Sequence, residues 1–225
     1  MKIMFLGTGA ADWPPEWRDG IREHRRNASA IIDNTLLIDP GPGAVDAIKE
    51  FGVDPAGIKY VLNTHRHKDH FNADSLEFFT QNGAEFIEMT DAEERNIGGY
   101  TVKAVNGHHR ISTLHYMISQ GDKSIYYALD GAWLLYDEVE AIKEKQPVDL
   151  IVLDGTVGFG EGDYRIFEHN NMNMVIELKK TLSMYCKSFC ISHMSCGLHT
   201  DHATLAARMD EHGIAVAYDG MEIEI

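Results

Sequence analysis

Residues 58–72, IKYVLNTHRHKDHFN, place His65, His67, Asp69 and His70 within six positions, directly after an apolar run that reads as a strand. An extended chain alternates its side chains, so His65 and His67, two apart, aim to the same side. Asp69 and His70 follow at once and can turn the other way. Such a loop can serve two metal ions, one through each pair. Two divalent ions held roughly 3.5–4 Å apart clamp a reacting oxygen and activate water between them. Imidazole and carboxylate donors suit zinc first, with manganese or iron as alternatives. Four side chains cannot complete two such sites, so further ligands are expected at other strand ends.

Three segments offer them. NGHH (106–109) follows the apolar run 100–105, Asp130 ends the run KSIYYAL (123–129), and His193 ends KSFCIS (187–192). One histidine of NGHH would bind metal while the other packs or faces solvent, and His108 is the one assigned. Asp39 and Asp154 also sit at strand ends. They are expected to orient ligating histidines through hydrogen bonds rather than bind metal themselves.

The rest of the pattern frames these loops. KIMFLG (2–7) reads as a strand, and SAIIDNTLLID (29–39) as a hairpin turning at Asp33-Asn34. Helices are expected over 44–52 and 73–83, each closed by a glycine. Strands follow at 100–105, 114–119 and 123–129, then a helix over 132–145 and a buried strand over 148–154. A helix over 171–185, a strand over 187–192 and a helix over 202–213 come next. IAVAY and MEIEI are expected to finish the chain as a strand pair turning at Asp219-Gly220. Strands in runs, then strands alternating with helices, in both halves, predict an α/β (α+β) fold. Its expected form is two mixed sheets packed face to face with helices outside, a four-layer αββα sandwich. With no linker or composition break, a single domain over 1–225 is expected.

Composition narrows the partners. The formal net charge of −15 repels a phosphate backbone, so no nucleic-acid partner is expected. The basic cluster REHRR (22–26) reads as a solvated loop. Three cysteines do not read as a disulfide framework, which places the chain in a reducing cytoplasm. The N-terminal apolar run is too short for a signal peptide, and no segment has the length of a membrane span. A homo-oligomer is compatible with all of this.

MFLGTGAAD, LLIDPGP, THRHKDH, NGHH, ALDG and ISHMS together resemble the metallo-β-lactamase superfamily along the full chain. Within it, the chain is most similar to the branch holding ribonuclease Z and phosphoribosyl cyclic phosphate phosphodiesterase. That branch carries a histidine about two dozen residues before the last metal histidine, and FEHNNMNMVIEL puts His169 there. The ending VAYDGMEIEI also looks like the cyclic phosphodiesterase group. The resemblance implies a dinuclear hydrolase. His65, His67 and His108 would hold one metal, Asp69, His70 and His193 the other, and Asp130 would bridge them. A metal-bridging hydroxide would attack phosphorus in a small, possibly cyclic, phosphodiester. Asp69 and His169 are the catalytic residues so implied, His169 giving a proton to the leaving oxygen or stabilising phosphoryl charge. The alternatives are a lactone or thioester hydrolase on the same metals, and a non-catalytic metal-binding protein of this fold.

Two departures bear on that likeness. The cyclic phosphodiesterase's cysteine-rich zinc insert is replaced by ADWPPEWRDGIREHRRNASA, so a third structural metal is not expected. Ribonuclease Z's long arm has no counterpart. Cys196 reads as a buried small residue, and His199 and His202 either line the pocket or start the last helix. Met172, Met174 and Met184 are expected in the core, and Trp13 and Trp17 either wall a pocket or serve as structure.

Overall fold

The computed structural model describes residues 1–14 and 23–225. Trp17, and Arg22 of the basic cluster, lie outside the described residues. In chain order the elements are β1 (Lys2–Gly7), β2 (Ser29–Ile32), β3 (Leu36–Ile38), α1 (Ala44–Glu50), β4 (Tyr60–Leu62), α2 (Ala73–Gln81) and β5 (Glu85–Phe86). Then come β6 (Glu94–Ile97), β7 (Tyr100–Asn106), β8 (Leu114–Gln120), β9 (Lys123–Ala128), α3 (Tyr136–Lys145) and β10 (Val148–Asp154). The chain ends with α4 (Met172–Leu182), β11 (Cys186–Ser192), α5 (His202–Asp210), β12 (Ile214–Val216) and β13 (Glu222–Glu224).

These elements form two compact units, Met1–Met89 with Tyr218–Ile225, and Thr90–Ala217. The first holds a mixed sheet in the order β13-β1-β2-β3-β4-β5. Its turn at Asp33-Asn34 has both residues at positive φ (48° and 54°), which Asp and Asn tolerate better than other side chains. Met4, Leu6, Ile31, Leu37 and Val61 fall on alternate positions and pack on Ala47 and Ile48 of α1 and Phe79 of α2. The intervening residues Ile3, Phe5, Ile32, Leu36 and Ile38 are fully buried too. That is why these strands read as continuous apolar runs rather than as alternation.

The second unit holds the order β12-β11-β10-β9-β8-β7-β6, again mixed. The pairs β7–β8 and β8–β9 are antiparallel, while β9, β10, β11 and β12 run parallel. Parallel neighbours need crossovers, and α3, α4 and α5 supply them. Ile142, Val175, Leu178, Leu205 and Met209 of those helices pack on the sheet. The consequence for function lies in the register. Leu153 pairs Ile191 and Asp154 pairs Ser192, so the residues after β10 and β11 emerge at one sheet edge. In the first unit Ile38 pairs Leu62, which brings Asp39 beside the start of the histidine loop.

Several expectations need correction. β12 and β13 are not a strand pair: β12 joins β11 in parallel, and β13 joins β1 in antiparallel fashion. A tight Asp-Gly turn mimics a hairpin signal, but the Asp219 carboxylate instead accepts from Thr8 Oγ1 and the Arg26 amide, both at 2.7 Å. α3 starts at Tyr136 rather than 132, because Trp133 has φ 60° and Glu138 accepts from the Leu135 amide at the helix entrance. Met172 and Met174 are core, but Met184 lies beyond α4 and is 75% exposed. The basic cluster is not wholly solvated: Arg25 is buried and donates to Thr8 Oγ1. Strands β5 and β6 were not anticipated; EF and ERNI are too short and polar to show a period.

Candidate metal centre

In the first unit, one fully buried carboxylate organises the histidine loop. Asp39 follows β3 with φ 62°, a backbone strained by roughly 1–3 kcal/mol for a residue with a side chain. It accepts from the Thr64 amide (2.7 Å), the Thr64 hydroxyl (2.9 Å) and His70 Nδ1 (2.8 Å). The Thr64 proton goes to the carboxylate, so its oxygen accepts from His65 Nδ1 at 3.0 Å. Both histidines therefore carry their proton on Nδ1 and their lone pair on Nε2. His65 Nε2 and His67 Nδ1 approach to 2.9 Å, and His70 Nε2 lies 3.4 Å from Asp69 Oδ2.

The second unit repeats the device. Asp154 ends β10, is fully buried, and accepts from His169 Nδ1 at 2.9 Å and from the Thr156 hydroxyl at 3.0 Å. The Thr156 oxygen is 2.7 Å from His193 Nδ1, so it accepts that proton in turn. Asp154 also takes the amides of Asp130 (3.1 Å), Thr156 (2.9 Å) and Asn170 (3.1 Å). Burial opposes its ionisation, but the charge and hydrogen bond of His169, with His193 behind, hold its carboxyl well below the usual carboxylate range. Burial likewise pushes His169 down, yet the Asp154 carboxylate outweighs it and leaves the imidazole above its ordinary value.

Asp130 and His193, at φ 56° and 64°, are aimed by the same strained backbone as Asp39. The two oxygens of Asp130 address different histidines: Oδ2 lies 3.2 Å from His193 Nε2, and Oδ1 lies 3.7 Å from His109 Nε2. Asp130, Asp154, His169 and His193 present ligand atoms within 4.8 Å of one another. His109, rather than the expected His108, reaches this group. The His109 side chain is 1% exposed, and its Nδ1 donates to the Glu168 carbonyl at 3.1 Å. His108 is exposed and contributes its carbonyl to the Ala132 amide. Adjacent loop residues of the same type leave no period to separate them.

The expected residues thus gather within each unit: His65, His67, Asp69 and His70 in one, Asp130, His169 and His193 in the other, with His109 replacing His108. Asp39 and Asp154 do orient histidines, as expected. Thr64 and Thr156 were missed, although T-H and D-x-T were readable next to the assigned ligands. His199 is tied to the Gly155 carbonyl (2.7 Å), and His202 opens α5. Cys196 is half-buried, and Trp13 is buried with its edge toward His24. The donor chemistry fits divalent ions. Nδ1 is occupied in four of the candidate ligands, His65, His70, His109 and His193, which presents Nε2 as the ligating atom, and the paired ring nitrogens of His65 and His67 converge. No helix among the described residues is long and apolar enough to cross a membrane.

Comparison with known proteins agrees with this architecture. The chain is 33% identical over 75 residues to a ribonuclease Z of Pyrobaculum neutrophilum, covering 31% of this chain and 23% of that protein. It therefore spans about a quarter of that relative. A metal-dependent hydrolase of Nanoarchaeum equitans is 28% identical over 181 residues, covering 68% of this chain and 70% of that one. The crystal structure of a diphosphatase from the PhnP family superposes with a TM-score of 0.75 at 17% identity, over 100% of this chain and 96% of that one, which shows the shared fold. Residues 24–173, well over half of the chain, match the family described as Metallo-beta-lactamase superfamily, and with its two mixed sheets flanked by helices the protein belongs to that superfamily.

Proposed function

We propose that this chain is a dinuclear metal-dependent phosphodiesterase acting on a small, possibly cyclic, phosphodiester. The observation that supports it best is His169. Its Nδ1 is tied to buried Asp154, and its ring stacks 5.6 Å from that of His193 while retaining 12% side-chain exposure. An imidazole beside the ligands, with its tautomer fixed, is what a phosphodiester with a poor leaving group needs.

In this reading His65, His67 and His109 would hold one ion, Asp69, His70 and His193 the other, and Asp130 would serve both. A single domain over 1–225 is part of the same proposal. When bound, the ions supply Lewis acidity and an activated water; zinc suits the donors, with manganese or iron also compatible. Neutral imidazoles give affinity without cancelling the ions' charge. Asp39 keeps His70 in its ligating tautomer directly and His65 through Thr64, Asp154 keeps His193 so through Thr156, and the Glu168 carbonyl does the same for His109. Asp69 lies at the reacting centre as ligand, and His169 holds a proton at Nε2 for the leaving oxygen.

The test is metal analysis coupled to a screen of linear phosphodiesters, cyclic phosphates and lactones. The expected result is two ions per chain and turnover of phosphodiesters; turnover of lactones alone would overturn it. His109→Ala is expected to lower metal content and activity steeply, and His108→Ala to leave both near wild type; the reverse result would restore His108 as ligand. With a net charge of −15, tRNA binding should be weak at physiological ionic strength. Tight, salt-sensitive binding in a filter assay would instead favour a ribonuclease Z activity.

A further inference from the structure

His115 lies on β8 and belongs to neither donor set, yet it is fully buried with both ring nitrogens engaged. Nδ1 donates to Glu138 Oε1 at 2.5 Å, and Nε2 donates to the Leu129 carbonyl at 2.9 Å. Two donating nitrogens make the ring an imidazolium, paired with a carboxylate that is itself fully buried. Glu138 is satisfied on its other sides by Tyr126 Oη (2.9 Å) and the Leu135 amide (2.6 Å). A buried ionic group with a complete set of partners is costly to build, and a hydrophobic replacement of the same volume would serve the core as well. That cost points to a role beyond packing.

The Leu129 carbonyl belongs to the same peptide plane as the Asp130 amide. His115 grips the oxygen of that plane and Asp154 accepts from its N–H at 3.1 Å. Fixing the plane restricts φ of Asp130, which sits at 56°, away from the ordinary regions for a residue with a side chain. The ring also sets the neighbouring loop. A Cβ on Gly107 would fall 2.5 Å from His115 Cε1, and one on Gly131 would fall 2.7 Å from it. Both loops are therefore moulded on this imidazole, one leading to His109 and the other leaving Asp130. Ala132 N donating to the His108 carbonyl at 3.0 Å ties them to each other.

We propose that His115, held by Glu138, is a positioning residue that clamps the 129–130 peptide and so aims the Asp130 carboxylate and His109 at the metal site. The functional part of this inference rests on the dinuclear reading; the clamp itself does not. The double variant His115→Phe with Glu138→Gln separates the two. Phenylalanine keeps a ring against Gly107 and Gly131 but has no N–H for the Leu129 carbonyl. The amide oxygen introduced by Glu138→Gln can still accept from the Leu135 N–H, so the start of α3 survives, and no unpaired carboxylate is left buried. Ile142→Val, a fully buried site on the same helix, is the control for a general loss of stability.

Two readouts are needed, neither of them turnover. In metal-free protein, hydrogen exchange of the Asp130 amide should quicken about tenfold or more in the double variant, and far less in Ile142→Val. In cobalt-loaded protein, the double variant should weaken affinity against a competing chelator by about 10–100-fold, the range for losing support behind a ligand, and shift the cobalt absorption bands. Ile142→Val should lower the melting temperature without moving the bands. Unchanged exchange at Asp130 in the double variant would overturn the clamp. Faster exchange with unchanged affinity and bands would overturn its role at the metal. If wild type took up no cobalt, the dinuclear reading would fall, and the exchange arm would still decide the clamp.

Discussion

Replacing Asp130 with alanine is expected to cut metal content from two ions to one or none and to abolish hydrolysis. Its oxygens address two different histidines, His193 at 3.2 Å and His109 at 3.7 Å, so in the proposed reading it is the carboxylate that would serve both ions. Asp154 cannot replace it, being engaged with three amides, a hydroxyl and His169. The ions' contribution to transition-state charge is several kcal/mol, so the loss should be roughly a thousandfold or more. The fold should survive, because β9 and β10 are held by parallel pairing and by buried residues such as Tyr126, Ile151 and Leu153. Alanine at φ 56° adds a small backbone strain, so Asp130→Asn is the companion variant: Asn tolerates that backbone and removes only the charge. Metal analysis, circular dichroism and a phosphodiester assay check all three points. Two ions and full turnover in Asp130→Ala would show the ligand assignment to be wrong.

The candidate ligands were legible because the fold reads them out at strand ends. Parallel register brings the residues after β3 and β4, and after β10 and β11, to common edges. A strand end followed by His or Asp is visible in sequence without knowing the topology. The choice between His108 and His109 was not visible. It depends on which ring meets Glu168, a residue 59 positions away for His109. Thr64 and Thr156 were hidden for a different reason. A threonine beside a ligand is unremarkable in composition, and only the carboxylate behind it turns its hydroxyl into a relay. His115 was hidden most deeply, since HY within LHYMIS reads as an ordinary buried strand.

The elements misread in sequence share a cause. IAVAY and MEIEI look like a hairpin because a two-residue turn separates two β-rich segments. The Asp219 side chain instead binds Thr8 and Arg26, and the last strand adds to β1. Such a choice is made by distant partners, which local pattern does not contain. The shortened α3 is similar: AWLLYDEVEAIKEK has a helical period throughout. Trp133 takes a left-handed backbone while its amide donates to Asn170 Oδ1 at 2.7 Å.

His169→Ala should leave metal content intact and slow hydrolysis in proportion to how poor the leaving group is. The Asp154 carboxylate, against the opposing effect of burial, raises the His169 pKa above its ordinary value. The imidazolium that can give up a proton is thus present below that raised pKa and lost as pH climbs through it. An alkyl or sugar leaving group requires the proton in the transition state. A nitrophenolate carries its own charge and needs little help. General acid assistance is typically worth about 10²–10⁴-fold, and the loss on alkyl phosphodiesters should fall in that range. The loss on bis-nitrophenyl phosphate should be far smaller, and the basic limb of the wild-type pH profile should flatten in the variant. Equal losses on both substrates would make His169 a positioning group for the phosphoryl oxygens. No loss on either would place it outside the chemistry, and the preference for phosphodiesters over lactones would lose its chief support.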